Sequence, residues 1–78
     1  MDINELGKIL HGMYFNSKDG EATAMIHLFA IKYADQIKAT GVSMKTLAKA
    51  GGIRESYGTE LSKGVKLEKF VTPRDQVL

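Results

Sequence analysis

Apolar residues recur at helical spacing along most of this chain. Ile3, Leu6, Leu10 and Met13 fall three or four positions apart, and Asp2-Ile3-Asn4-Glu5 has the Asp-x-x-Glu spacing of a capping arrangement. A first helix is predicted over Ile3 to Phe15, weakened at Gly7 and Gly12 by about 1 kcal/mol each relative to alanine. Asn16 to Gly20 is a loop by composition. From Glu21 to Thr40 the residues Ala22, Ile26, Phe29, Tyr33 and Ile37 form a broad apolar face, which predicts one long helix stopped at Gly41. A strand through Ala24–Tyr33 competes with that reading, because the run is apolar at both parities. Low β-branching and the unbroken helical phase to Ile37 favour the helix. His27 falls off the main stripe, and both it and His11 read as ordinary surface or boundary histidines.

Ser43 is a natural N-cap for a short helix of Met44 to Ala50, which Gly51-Gly52 ends. A fourth helix is predicted from Arg54 to Lys63, with Gly64 as its stop. Beyond it, Val65, Leu67, Phe70 and Val71 stand among lysines, a pattern suited to a short strand or an extended arm. Residues 73–78, opening with Pro73, read as a loosely held tail.

The segment Met44 to Lys63 meets the demands of a helix-turn-helix. A small residue is needed where the second helix passes over the first, and Ala48 supplies it. Four positions later the turn requires left-handed backbone, and Gly52 is there. Apolar residues must plug the angle between the helices, and Leu47, Ile53 and Leu61 are spaced to do so. On these residues the segment resembles the helix-turn-helix of phage repressors of the lambda and Cro kind, over about twenty residues and softly through Gly64-Val65. The whole chain also looks like small bacterial proteins called simply helix-turn-helix-like. Two positions depart from the pattern. Gly51 stands three residues after Ala48, where an apolar residue is usual. Gly58 takes the inward position of the second helix, where Val or Ile is usual. A glycine at 58 weakens the helix and lets the two helices approach closely.

Phased at about 100° per residue, the second helix turns Ile53, Tyr57, Leu61 and Val65 inward, so that Tyr57 takes up packing that Gly58 leaves open. Glu55, Ser56, Thr59, Ser62 and Lys63 point outward. Serine and threonine bond to base edges or phosphate, glutamate accepts from cytosine N4, and lysine pairs with guanine or phosphate. Lys45, Lys49 and Arg54 are placed to grip the backbone on either side. The resulting DNA-binding set is Lys45, Lys49, Arg54, Glu55, Ser56, Thr59 and Lys63. The same mixture also fits a merely solvated face. Homodimerisation through the Phe29/Tyr33/Ile37 stripe or the Val65–Val71 arm would double the contacts, although both segments serve equally as intramolecular core.

Composition narrows the class without choosing it. Seventy-eight residues make one domain, and 44% apolar with 26% charged residues describes an ordinary globule rather than a disordered chain. No cysteine is present, so the fold has neither disulfides nor a thiolate zinc site. Net charge is +2, but unevenly spread: residues 1–40 carry four lysines against five acids, whereas 41–74 carry seven bases against three acids. A basic half beside a neutral one is the asymmetry of a nucleic-acid binder, and also of any lysine-rich solvated surface. The start is acidic and the most apolar run, Ala24 to Ile31, spans only eight residues including His27, which argues against a signal peptide or membrane span. His11 and His27 belong to no metal-ligand or catalytic arrangement, and Gly51-Gly52 lacks the Gly-Lys-Ser/Thr ending of a phosphate loop.

The expectation is an all-α fold: a four-helix compact domain over residues 1–78, with a helix-turn-helix at about 43–64 and a short C-terminal strand or arm. A winged helix is disfavoured by the fourteen residues left after Gly64. The function expected is sequence-specific binding of double-stranded DNA by a small cytoplasmic, repressor-like regulator of bacterial or phage type. It would have no effector domain, catalytic residues, metal, cofactor or small-molecule ligand. The alternative is a protein-interaction module, an accessory or antitoxin-like factor on the same scaffold.

Overall fold

The computed structural model describes residues 1–74, and its first helix, α1, runs Ile3–Phe15 as the pattern predicts. Its start is fixed by a reciprocal cap: the Glu5 amide donates to Asp2 Oδ1 at 2.9 Å, and the Asp2 amide donates to Glu5 Oε1 at 3.3 Å. After the loop, α2 spans Ala22–Lys32 and α3 spans Ala34–Thr40. The predicted long helix is thus two, parted at Tyr33, whose backbone (φ −107°, ψ 20°) leaves helical values. The bend brings α3 back against α1 while Ile26, Phe29 and Ile37 stay in one core, so the apolar period runs through it without a mark. Gly41, at φ 70°, ends α3 in left-handed conformation.

The next helix, α4, spans Met44–Ala50, with the Thr46 amide donating to the Ser43 hydroxyl at 3.2 Å. Its end is a Schellman motif. The Ile53 amide reaches back to the Ala48 carbonyl at 3.1 Å, the Gly52 amide to that of Lys49 at 3.0 Å, and Gly52 supplies the positive φ of 71°. The second helix of the pair departs from expectation. It opens as a 3₁₀ turn, Glu55–Tyr57, and continues as α5, Gly58–Leu67. Gly64 does not stop it: that glycine is buried, and a Cβ there would fall 2.5 Å from Ala30 Cβ and 2.8 Å from the His27 carbonyl oxygen. It is the point at which α5 lies directly on α2.

The described residues are therefore all-helical, with five α-helices rather than four and no strand. Val65 and Leu67 belong to α5, and Phe70 and Val71 follow it in a turn whose amides donate to the Leu67 carbonyl at 2.9 and 3.2 Å. Of the tail predicted at 73–78, residues 75–78 lie outside the described residues.

Leu6 and Leu10 of α1, Ile26 and Phe29 of α2, Leu47 and Ala48 of α4 and Leu61 of α5 are wholly buried in one cluster with Ile37 and Ile53. The residues singled out for the helix-turn-helix angle all reach it. Glycines set how closely α1 meets α4. A Cβ on Gly7 would lie 2.5 Å from the Ala50 carbonyl oxygen, and one on Gly51 would lie 2.7 Å from Leu10 Cδ2. Leu10 of α1 thus fills the space that an apolar residue at 51 usually occupies.

Candidate nucleic-acid interface

The first turns of α4 and α5 meet at Gly58. A Cβ on that buried glycine would sit 3.1 Å from the Lys45 amide nitrogen and 3.2 Å from the Met44 carbonyl carbon, so the backbone of α4 closes the space left by the missing side chain. Tyr57, half-buried, turns instead toward α1, its ring 5.6 Å from that of Tyr14. Outside this contact the two helices diverge around an open groove of about 580 Å³.

Lys45, Glu55, Ser56, Thr59 and Lys63 all line the groove, so five of the seven residues expected to face DNA share one surface. Lys49 and Arg54 lie outside it. Lys49 Nζ reaches Glu55 Oε1 at 4.0 Å, an exposed pair of small energetic consequence. Arg54 is exposed at the start of the 3₁₀ turn, where its positive charge is felt at Tyr14. The Tyr14 hydroxyl donates to that of Tyr57 at 3.4 Å, and this bond, with burial, raises the Tyr14 phenol above its ordinary range.

Ser62, expected on the outward face, lines the groove as well, and three further residues join it: Ser43 and Met44 from the α4 side and Lys66 from α5. Lys66 was detectable: it follows Ser62 by four and Lys63 by three, so continuing the helical phase past Gly64 puts it on the same face. Lysines 45, 63 and 66 thus stand against one lining carboxylate, that of Glu55. Among the described residues Lys45 and Lys66 carry no ion pair.

Behind the groove a polar chain ties α5 to α2. The imidazole Nε2 of His27 and Glu60 Oε1 are 2.7 Å apart, and Lys63 Nζ donates to Glu60 Oε2 at 3.3 Å. A carboxylate only accepts, so His27 carries its proton on Nε2 in this bond. The hydrogen bond from His27, then that from Lys63, holds the Glu60 carboxyl below the usual carboxylate range. Nothing in the sequence marked this pair, whose members stand 33 positions apart on different helices. His11 likewise has a role beyond its exposed position: its Nδ1–H donates to the Gly51 carbonyl at 2.9 Å, satisfying an acceptor at the end of α4.

A Schellman-closed first helix, a buried alanine beneath the crossing and a polar-faced second helix define a helix-turn-helix domain. The chain belongs to the HTH-like domain family, whose model matches residues 2–74. Comparison with curated proteins and with solved structures finds no match. No helix among the described residues is long and apolar enough to cross a membrane.

Proposed function

We propose that this chain binds double-stranded DNA sequence-specifically, laying the 3₁₀ turn and α5 in the major groove in the manner of the phage-repressor motif it resembles. The observation that carries this reading is the α4–α5 groove, where Lys45, Lys63 and Lys66 share one surface with the hydroxyls of Ser43, Ser56, Thr59 and Ser62. Lys45 and Lys66 contact phosphates, which fixes register and carries no sequence information. Ser56, Thr59 and Ser62 face base edges, Glu55 accepts from cytosine N4, and Lys63 serves guanine or phosphate. Lys49 and Arg54, outside the groove, hold the flanking backbone.

Few phosphates are neutralised by one chain in this arrangement, so a monomer binds weakly and a homodimer reads two half-sites about one helical turn apart. Occupying such a site blocks transcription without any chemistry on the DNA. The test is titration of the protein into random-sequence duplex at two salt concentrations, with the chain and with its Lys45→Ala/Lys63→Ala/Lys66→Ala variant. The expected result is binding that weakens several-fold on raising the salt and is abolished in the variant. Undiminished binding by the variant, or none by the parent at low salt, overturns the reading.

A further inference from the structure

A second concave surface lies at the far end of α5. Val65 and Phe70 line it together with Lys38, Lys66 and Lys69, and its volume is about 350 Å³. Phe70 is 80% exposed, and Leu67 and Val71 beside it are also exposed. Phe70 is no frayed end: the turn after α5 holds its amide to the Leu67 carbonyl at 2.9 Å. An exposed aromatic side chain on a hydrogen-bonded turn, with exposed Leu67 and Val71 and three lysines near it, has the composition of a docking anchor.

We infer that this notch docks an acidic amphipathic helical segment of another protein. Charge decides the class of occupant. Three lysines line the notch, and among the described residues the carboxylate paired with them is that of Glu68, 4.0 Å from Lys38 Nζ in a solvent-exposed pair that a partner's carboxylate readily replaces. A second copy related by a two-fold axis would bring the same three lysines face to face. Duplex DNA would satisfy the lysines and leave Phe70, Leu67 and Val71 with nothing to cover them. A helix with apolar residues at i, i+3, i+4 and i+7 and carboxylates beside them covers the ring and pairs the rim together. The inference does not rest on DNA binding by the α4–α5 groove, although Lys66 borders both surfaces and places the docked segment beside any bound duplex.

The probe is a fluorescent helical peptide with leucine at those spacings and glutamate elsewhere, followed by anisotropy. Two control peptides exchange every glutamate for lysine or every leucine for serine. The acidic leucine peptide is expected to bind at least about tenfold more tightly than either control. Phe70→Ala, at an exposed position, is expected to weaken it about tenfold with the helical circular dichroism unchanged, whereas Lys45→Ala leaves it unaltered. Equal binding by the serine control would reduce the site to general attraction by lysines and overturn the inference. So would peptide binding indifferent to Phe70→Ala, a concentration-dependent dimer abolished by Phe70→Ala, or a single-stranded oligonucleotide that outcompetes the peptide at Phe70.

Discussion

His27 Nε2 and Glu60 Oε1 lie 2.7 Å apart, and this bond joins α2 to α5, the second helix of the groove. Its consequence is an acid sensitivity with a defined sign. The Glu60 carboxyl titrates lower in the fold than in the unfolded chain, because His27 and then Lys63 donate to it. The stability this confers is complete above the unfolded value of about 4.3 and is lost as pH falls through the folded one. Urea denaturation across that window is expected to show the acid-induced loss in the parent chain and a smaller loss in Glu60→Gln. Identical pH profiles would mean the bond contributes nothing to the fold.

The same carboxylate stands beside Lys63, one of the three groove lysines, and accepts from it at 3.3 Å. On DNA, that negative charge opposes the approach of a phosphate and competes for the ammonium group. Glu60→Gln is therefore expected to tighten duplex binding by a few-fold at low salt, the gain shrinking as salt rises. Weaker binding in this variant would place Glu60 among the groups that hold DNA.

Two glycines that look alike in sequence behave oppositely. Gly64 of α5 has no room: an added Cβ would fall 2.8 Å from the His27 carbonyl oxygen and 2.5 Å from Ala30 Cβ. Gly64→Ala is expected to cost about 1–3 kcal/mol through overpacking, despite the better helix propensity of alanine. Gly12 in α1 meets nothing nearer than Asn16 Nδ2 at 4.0 Å. Gly12→Ala is expected to stabilise by about 0.5–1 kcal/mol. Urea midpoints at unchanged slope read both effects.

Local chemistry was legible in the chain, and long-range placement was not. The Asp2–Glu5 cap, the Ser43 cap and the Gly52 turn depend on a few adjacent residues, and α1 and α4 begin and end as read. Ala48, Leu47, Ile53 and Leu61 lie where a helix-turn-helix needs them because the motif is itself local. The bend at Tyr33 leaves no trace, since Ile37 keeps the helical phase of Ile26 and Phe29 across it. At Gly64 a glycine that ends a helix and one that lets two helices touch are the same letter; only Ala30 and His27, more than thirty positions earlier, tell them apart. A helix stopped at Gly64 leaves Lys66 off the predicted face. Five of the expected DNA-facing residues do share the groove: Thr59 and Lys63 fall one helical turn apart on α5, Glu55 and Ser56 stand on the 3₁₀ turn before it, and Lys45 stands in the first turn of α4 opposite them. Lys49, in the last turn of α4, and Arg54, ahead of the 3₁₀ turn, do not line it.

The α4–α5 groove is the proposed seat of the DNA. Titration of short duplex DNA into isotope-labelled protein, followed by amide chemical shifts, tests it most directly. Shifts are expected to concentrate at Ser43 to Lys45 and from Ser56 to Lys66, with the amides of α1 before His11 unmoved. Shifts centred instead on Lys69 to Val71, or none at low salt, would contradict it.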